Sequence, residues 1–395
     1  MPAPLARAAS PAGEPSLSRS VASAGCGQFL AARWIRAWPE AAALAPAWNA
    51  IAPDLFTRFE WFDAAWAWAG RDAQPRLLAV FDGELLVGLL PACLWHRGGR
   101  RELALITVPD TQFADVLLGP DPAPVARVMA EALVAARGEW DELHLTHLRP
   151  DGEWTRLRDA LTRLTAVDCA PYARNLRIAL DAPWAAYYAS LSKTVREKNK
   201  LAANRLARTG QVEIEWHRGE NPAPAALTAE ITAISAASWK AETGLSLENA
   251  GPGAFIERLT QHAAAQGWLS VWLARLDGTA VAMEYQLIDA GRVYALRSDF
   301  RAEQAQVSPG TYLNWKLLER LAGEGLSSYF MGPGENAYKL RWTREGAQLW
   351  QLTAWSPTWR GALLRLIETR IKPAARAWRD WLRRWRGGNP TKEAQ

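Results

Sequence analysis

The segment from residue 268 to residue 342 constrains the fold more than any other part of the chain. Apolar and polar residues alternate over three consecutive strands, with turns at Asp277-Gly278 and at residues 289–291, before a predicted helix and a returning strand. Ser308 is predicted as the N-cap of that helix and Pro309 as its first residue. Such a helix start is suited to binding an anion, because its free N–H groups and the positive end of the helix dipole point outward.

A similar order of elements occurs in the first half of the chain. The stretch AVFDGELLVGLLP matches ARLDGTAVAMEYQ in the second half, and each is followed by a strand, a helix and a strand. We interpret this match as an internal structural duplication. With 395 residues the chain is also longer than one compact core normally allows. The predicted organisation is a disordered N-terminal lead (1–27), a first α/β unit (28–180), a second α/β unit (181–356) and a helical tail (357–395).

Composition indicates an ordinary globular protein, with 49% hydrophobic and 22% charged residues. The three cysteines, Cys26, Cys93 and Cys169, lie far apart, which argues against a disulfide framework or a zinc site and favours a reducing compartment. No apolar run approaches the roughly 20 residues that a membrane-spanning helix needs. The five histidines also lack a spacing typical of metal ligands. We therefore expect a cytoplasmic protein without a metal.

The tail carries most of the positive charge. Residues 357–386 contain nine basic and two acidic residues, whereas the net charge of the whole chain is +5. The pattern predicts two amphipathic helices separated at Pro373, each with one apolar stripe. Tryptophan and arginine together are typical of a helix that lies on an anionic membrane surface. The alternative is a helix docked on the body of the protein with its arginines facing water.

A second basic segment precedes the second unit's strands. Residues 190–210 are predicted to form a helix with one apolar stripe, surrounded by six basic residues and one acidic residue. This face would suit a nucleotide phosphate, a tRNA acceptor stem or an anionic sugar polymer, with Arg196 and Lys200 as candidate donor contacts. A solvated helix face is the alternative.

Four pieces of the second half carry a family resemblance. They are the hairpin at Asp277-Gly278, the helix start Ser308–Gly310, the GxGExxYKxxW-like segment Gly332–Trp342 and the basic helix. Together they resemble the GNAT acyltransferase superfamily, in the branch called CelD/BcsL, which is named for an association with cellulose biosynthesis. The layout is also similar to the Fem-type aminoacyl transferases, which build peptidoglycan bridges from aminoacyl-tRNA with two linked GNAT-like domains. One departure is Tyr329, where family members often carry an acidic residue.

The resemblance covers residues 184–356 well and residues 29–180 more weakly. It implies an α/β (α+β) protein of two tandem GNAT-like domains, each a mixed, mostly antiparallel sheet flanked by helices, with the first domain degenerate. In the resembled fold a backbone N–H from a splayed central strand contacts the oxyanion, and the matching strand here is Val281–Leu287.

Glu284 and Tyr285 lie within that strand and point to opposite faces. Glu284 is a candidate general base, because burial would raise its pKa towards neutrality. The alternative is an ion pair with Arg297 on the neighbouring strand. Tyr285 is a candidate substrate contact, and so is Asp299, which would either orient an acceptor or cap the following loop.

The densest polar cluster of the second half follows the returning strand. Lys339 is suited to a phosphate or a developing oxyanion, and Tyr338 is suited to donating a proton to a departing thiolate. Glu335 is a candidate substrate contact. A surface loop with solvated charges is the alternative. The predicted catalytic residues are Glu284, Tyr338 and Lys339. The predicted contacts to a CoA donor are Ser308, Gly310 and Thr311, together with Arg196 and Lys200.

These features lead us to expect an N- or O-acyltransferase. It would move an acyl group from acyl-CoA to an amine or hydroxyl of a small-molecule or glycan acceptor, and the resemblance implies a link to cell-surface polysaccharide. One alternative is Fem-like aminoacyl transfer, which would make tRNA a partner. Another is a non-catalytic binding or membrane-surface adaptor. Residues 357–386 are the candidate point of peripheral membrane contact, with docking on the body as the alternative.

Overall fold

The computed structural model describes residues 30–218, 225–238 and 242–387. The predicted N-terminal lead, residues 1–27, and the end of the tail beyond residue 387 lie outside the described residues. The strands are β1 (Leu30–Ile35), β2 (Ala73–Pro75), β3 (Leu77–Asp82), β4 (Leu85–Leu90), β5 (Ala92–Arg97), β6 (Arg100–Leu105), β7 (Leu117–Leu118), β8 (Glu142–Leu148), β9 (Val167–Ala179), β10 (Val212–Arg218), β11 (Leu269–Leu276), β12 (Thr279–Asp289), β13 (Arg292–Phe300), β14 (Ser328–Pro333) and β15 (Gly346–Trp355). The helices are α1 (Trp38–Ala43), α2 (Ala45–Ile51), α3 (Phe59–Ala69), α4 (Pro122–Ala135), α5 (Trp154–Leu161), α6 (Trp184–Ser190), α7 (Lys193–Thr209), α8 (Ala225–Ala236), α9 (Ala250–Ala265), α10 (Pro309–Leu321), α11 (Trp359–Leu366) and α12 (Lys372–Gly387).

These elements form two sheets that are flanked by helices. Within the described residues, eleven strands form one sheet in the order β10-β11-β12-β13-β14-β9-β15-β8-β6-β5-β2, and four form a second in the order β1-β3-β4-β7. Among the described strand pairs, β13–β14 and β6–β8 are parallel and the others are antiparallel. The expected mixed, mostly antiparallel α/β fold is therefore confirmed.

The meander of the second half depends on its turn residues. Asp277 and Gly278 both have positive φ, 49° and 77°, and so do Ala290 and Gly291, at 46° and 72°. Two consecutive residues with positive φ are the geometry of the type I′ turn, whose twist matches that of antiparallel strands. The β11–β12 and β12–β13 hairpins consequently lie where the sequence predicts them.

A topological repeat supports the internal duplication. In the first half, β6 pairs in parallel with β8 over three residue pairs, and α4 lies between them in the chain. In the second half, β13 pairs in parallel with β14 over three residue pairs, and α10 lies between them. Each half thus contains an antiparallel meander followed by a helical crossover to a short parallel pair.

The last strand of each predicted unit lies beside the other unit's sheet. β9, which ends the first half, pairs with β14 of the second half. β15, which ends the second half, pairs with β8 of the first half, and β9 and β15 pair with each other. The two halves therefore exchange their final strands, and the eleven-stranded sheet runs through the expected boundary near residue 180.

The halves also share a hydrophobic core. Trp61 and Phe62 of α3 in the first half pack in one cluster with Phe255 and Ile256 of α9 in the second. The ring centroids of Trp61 and Phe255 are 5.6 Å apart in an edge-on arrangement. Burial of large apolar side chains is the main stabilising contribution in folding, so this contact fixes one half against the other.

The tail differs from its sequence prediction. We expected two helices separated at Pro373, but α11 continues through a π-helical segment, Ile367–Ile371, directly into α12. Pro373, which has no N–H group, is the second residue of α12 and directly follows the π-helical segment. The wider π-helical segment, rather than a break, separates the two α-helical parts.

Candidate functional site

A cavity opens where two parallel strands separate. β13 and β14 pair from Arg292–Ser328 to Tyr294–Phe330 and then diverge. A cavity of about 500 Å³ is lined by β13 beyond that point, by Tyr329 and Met331 of β14 and by the start of α10. The lining residues are Glu284, Ala295, Leu296, Arg297, Ser298, Phe300, Gly310, Thr311, Tyr329, Met331, Asn336, Tyr338, Lys339 and Arg341. The splayed strand is therefore β13 and not Val281–Leu287, which lies in β12 and pairs with β11 and β13 on its two sides.

Diverging strands leave backbone carbonyls without ladder partners, and side chains satisfy them here. On the β13 wall, Gln112 Nε2 donates to Ala295 O at 2.7 Å. On the β14 wall, Lys339 Nζ donates to Gly332 O at 2.8 Å and to Pro333 O at 2.9 Å. Gln112 comes from the first half and Lys339 from the second, so both halves support the separated ends of β13 and β14.

Lys339 therefore lines the cavity. Its ammonium group also binds two backbone carbonyls, which the sequence did not indicate. Burial lowers the pKa of Lys339 to about 8, because the ammonium group loses hydration that two carbonyl oxygens only partly replace. The side chain serves as an anchor between the returning strand and the loop that follows it.

Glu284 is the central buried acid of the cavity. Its side chain is about 1% exposed and accepts hydrogen bonds from Tyr329 Oη, from Gln286 Nε2 at 2.6 Å and from Asn314 Nδ2 at 3.3 Å. Burial raises the pKa of Glu284, and the three donors oppose that shift. The predicted burial and raised pKa of this residue are therefore found.

The alternative partner for Glu284, Arg297, is wrong. In the strand register Arg297 lies opposite Tyr285, so the two share the other face of the sheet. Arg297 binds Asp110 at 2.7 Å and Leu245 O at 2.7 Å, and both members of the ion pair are almost fully buried. Tyr285 is fully buried on that face, where its hydroxyl lies 3.1 Å from Thr260 Oγ1. The structure accordingly places Tyr285 in the core and away from the cavity.

Three side chains around Glu284 were missed from the sequence. Gln286 lies two residues further along β12 and hence on the same face, which is a signal that strand alternation provides. Asn314 comes from α10 and Tyr329 from β14, so their approach depends on tertiary structure. Tyr329 stands where the resembled family often has an acid, and here its phenol donates to the Glu284 carboxyl. Burial, with the nearby Glu284, raises the pKa of Tyr329 well above its usual range.

Tyr338 is the second phenol on the cavity wall. Burial, with Glu284 nearby, raises the pKa of Tyr338 well above its usual range, and Arg341 opposes the shift. Tyr338 therefore remains protonated at neutral pH, and its raised pKa makes it a weaker acid than an ordinary phenol.

The start of α10 brings two of the three predicted donor contacts to the cavity. Gly310 and Thr311 line it, and a Cβ atom on Gly310 would lie 3.3 Å from the Phe300 ring, which is a tight contact. Ser308 occupies the N-cap position with a left-handed backbone (φ 58°), but its side chain makes no capping bond, contrary to the prediction. Its carbonyl accepts from the amides of Thr311 and Tyr312, which reduces the number of free N–H groups at this helix start.

The remaining predicted contacts are not among the residues that line the cavity. Asp299 is buried on β13, and Glu335 is exposed and forms an ion pair with Arg174 at 2.6 Å. Arg196 is partly buried on α7 and Lys200 of the same helix is exposed. The apolar stripe of α7 is buried as expected, at Leu191, Val195, Ala202 and Leu206.

A neighbouring groove collects basic side chains. Its volume is about 480 Å³, and it is lined by Ser192 just before α7, by the beginning of α7, including Lys198, and by residues 340–344, including Arg344. Arg341 lines both the groove and the cavity. Lys198, rather than Arg196 or Lys200, is therefore the α7 cation that lines this groove.

Two kinds of feature are absent from the part of the chain that the structure describes. No group of three or more His, Cys, Asp or Glu residues is arranged there to hold a metal ion. None of the helices in the same ranges has the length and apolar character required to cross a bilayer.

Comparison with known proteins identifies the class of the second half. Residues 193–340 match the family model described as an acetyltransferase (GNAT) domain. This segment begins at α7 and ends just after Lys339, so it contains the splayed strands and every residue that lines the cavity except Arg341. The chain therefore contains a GNAT-type acetyltransferase domain, which indicates an acyltransferase. No curated protein matches the sequence.

Solved structures of similar fold span most of the chain. They include a conserved protein of unknown function from Bacteroides thetaiotaomicron, with 12% identity, 80% of this chain and 97% of that chain covered, and a TM-score of 0.52. They also include L-PGS from Bacillus licheniformis (13% identity, 84% and 96% covered, TM-score 0.50) and FemX (12% identity, 82% and 98% covered, TM-score 0.50). At these identities the similarity is one of fold alone.

Proposed function

We propose that this protein transfers an acyl group from acyl-CoA to an amine or hydroxyl acceptor. The observation that supports the proposal best is the cavity between β13 and β14, which brings a buried carboxyl group and a protonated phenol together inside a GNAT-type domain. Acyl transfer from a thioester needs aligned reactants, a donor for the oxyanion and a route for one proton.

The reaction would proceed by direct attack. The acceptor nitrogen or oxygen bonds to the thioester carbonyl carbon, the carbon–sulfur bond breaks, and CoA leaves as a thiolate. Glu284 is proposed to accept the proton that the acceptor loses, because its raised pKa suits proton exchange nearer neutrality. Tyr338 is proposed to protonate the thiolate because it lies on the cavity wall, and backbone amides of β13 beyond the splay are proposed to contact the oxyanion.

The donor would enter past the start of α10. Gly310 and Thr311 on the cavity wall are proposed contacts, with Ser308 beside them. Arg196 and Lys200 are proposed to lie near the anionic nucleotide end, because α7 packs against α10 and Arg205 of α7 donates to Gln306 O at 3.0 Å just before it. Lys339 is proposed as a positioning residue, since its ammonium group already binds two carbonyls.

The acceptor is proposed to be a small molecule or a glycan, with the CelD/BcsL resemblance as the reason to look at cell-surface polysaccharide. Glu335 remains a proposed acceptor contact. Asp299 does not, because it lies opposite Met283 in the strand register and is 1% exposed, on the same face of the sheet as Tyr285. Tyr285 does not, because its side chain is buried on the opposite face of the sheet.

Calorimetric titration with acetyl-CoA and longer acyl-CoAs tests the proposal. We expect binding by the wild type and a loss of about tenfold or more in Lys339→Ala, because two buried carbonyls lose their donor and the splay loses its anchor. Lys193→Ala is the matched control, since it removes the same charge from an exposed position on α7.

A further variant separates binding from chemistry. Glu284→Gln is expected to keep acyl-CoA binding and to lose the release of free CoA in the presence of an acceptor panel, by about a hundredfold or more. If no acyl-CoA binds the wild type, or if Lys339→Ala binds like Lys193→Ala, the proposed donor site is wrong. Trp342 does not fill the cavity, because it is buried in the core cluster that also contains Tyr329 and Met331 and is not among the lining residues.

A second candidate is Fem-like aminoacyl transfer from tRNA. The basic groove beside the cavity favours it, because Lys198, Arg341 and Arg344 lie where the end of an anionic chain could enter. Titration with tRNA at increasing salt distinguishes the two. Binding that weakens steeply with salt and is lost in Lys198→Ala/Arg344→Ala, together with no acyl-CoA binding, would favour the aminoacyl transferase.

A further inference from the structure

The tail helix is attached to the body through its charged side. Arg360 Nε lies 3.0 Å from Asp141 Oδ1, and Arg365 Nε lies 3.2 Å from Asp168 Oδ2. Glu368 Oε1 lies 2.6 Å from Arg100 Nη1. Three consecutive turns of the helix therefore direct charged side chains towards the protein, which is the reverse of an ordinary docked amphipathic helix.

The apolar side of the same helix faces solvent. Trp359, Leu363 and Leu366 of α11 are 73%, 46% and 50% exposed, and Trp378 and Trp381 of α12 are 62% and 52% exposed. The two α12 tryptophans stack with their ring centroids 5.1 Å apart. Soluble surfaces rarely gather large apolar side chains in this way, and such patches commonly mark interaction sites.

An open groove continues the apolar surface at the root of the tail. It has a volume of about 670 Å³ and is lined by Trp359 and Leu366 together with Arg365 and Arg370. Apolar walls with basic groups at the edge suit the junction between lipid chains and anionic headgroups.

We propose that residues 357–386 bind the surface of an anionic lipid bilayer, with the exposed tryptophan and leucine side chains inserted at the headgroup boundary. The positive charge of the tail favours an anionic bilayer as its binding partner. From residue 372 to residue 386 the sequence contains six basic residues against one acidic residue. Two copies of this surface would repel each other, whereas anionic headgroups attract it. Because none of the described helices is able to span a bilayer, the tail lies on the surface. This proposal does not depend on the acyl-transfer reaction.

Cosedimentation of the full chain with vesicles tests the proposal. The vesicles are phosphatidylcholine alone and phosphatidylcholine mixed with phosphatidylglycerol. We expect the wild type to bind the phosphatidylglycerol vesicles, and Trp378→Glu/Trp381→Glu to lower that binding by about tenfold or more. The matched control is Leu85→Glu/Leu201→Glu, which makes the same charge change at two exposed apolar positions outside the tail and is expected to bind like the wild type.

Three results would overturn the proposal. The first is equal binding of the wild type to both vesicle types, and the second is an equal loss of binding in the tail variant and the control. The third is a wild-type dimer in sedimentation velocity that the tail variant dissociates, with no vesicle binding by either protein. Weaker binding at higher salt, with the difference between tail variant and control retained, would support it.

Discussion

At the scale of the residue, position in the strand register decides which partner a side chain meets. Glu284 and Arg297 are on adjacent strands, and from the sequence they are a plausible ion pair. The register sets Arg297 opposite Tyr285, so the arginine faces Asp110 and the carboxyl faces Tyr329 and Asn314. A one-residue difference in pairing thus separates a buried acid in a cavity from an ordinary salt bridge.

The buried imidazole of His147 predicts a pH dependence of stability. Burial lowers the pKa of His147 to about 4, from an ordinary value of 6.5. Between these values the unfolded chain binds more protons, so stability falls as the pH decreases from about 6.5 to 4. In His147→Asn, the fall in the free energy of unfolding over this pH range is expected to be smaller by up to about 3 kcal/mol. Asparagine is chosen because it tolerates the positive φ of 59° at this position.

Urea unfolding at several pH values measures the effect of His147→Asn. His96→Asn, at an exposed position, is the control and is expected to leave the pH dependence as in the wild type. Parallel stability curves for His147→Asn and the wild type over this pH range would show that the imidazole is not held neutral by burial.

The residues of the candidate site were partly predictable from the sequence. Gly310, Tyr338 and Lys339 belong to short motifs and Thr311 directly follows one, and all four line the cavity. Gln112 was not predictable, because it reaches Ala295 O from 183 positions away in the chain. Local pattern carries no signal for such a contact, whereas a turn or a helix start is written in adjacent residues.

At the scale of the element, turn chemistry explains why the hairpins were predicted correctly. The Asp277-Gly278 turn needs positive φ at both residues, and the Asp277 carboxylate also accepts from Gln211 N at 2.8 Å. The splay was assigned to the wrong strand for a different reason. It depends on where the parallel pairing of β13 and β14 ends, and both strands alternate in the same way on either side of that point.

The positive φ of Gly278 predicts that alanine destabilises the protein more at this position than at a glycine with an ordinary φ. Gly278→Ala is expected to destabilise the protein by about 1–2 kcal/mol, because an L-residue is strained at a φ of 77°. Gly323→Ala, just beyond α10, lacks this strain and is the matched control. Chemical denaturation compares the two, and equal midpoints would mean that the turn adapts its backbone to the added methyl group.

At the scale of the whole molecule, the first half supports the site in the second. Gln112 is buried, donates to Ala295 O at 2.7 Å and lies 3.3 Å from Asn175 Nδ2. Gln112→Ala is expected to destabilise the protein by about 1–3 kcal/mol and to weaken acyl-CoA binding, because the β13 wall of the cavity loses its support. Denaturation and calorimetry measure both effects. Exposed Gln74→Ala is the control, and an unchanged affinity in Gln112→Ala would separate the two halves functionally.

The exchange of final strands predicts that the halves do not fold separately. β14 and β15 both pair with β9, which lies before residue 181 in the chain, and α9 packs its apolar face on α3 of the first half. A fragment of residues 181–356 would leave these strand edges and this apolar surface exposed. We expect it to show no cooperative unfolding transition by circular dichroism. A fragment of residues 30–356 keeps both halves without the tail and is expected to unfold in one transition. A sharp, independent transition of the 181–356 fragment would contradict the idea that the second half depends on the first for its stability.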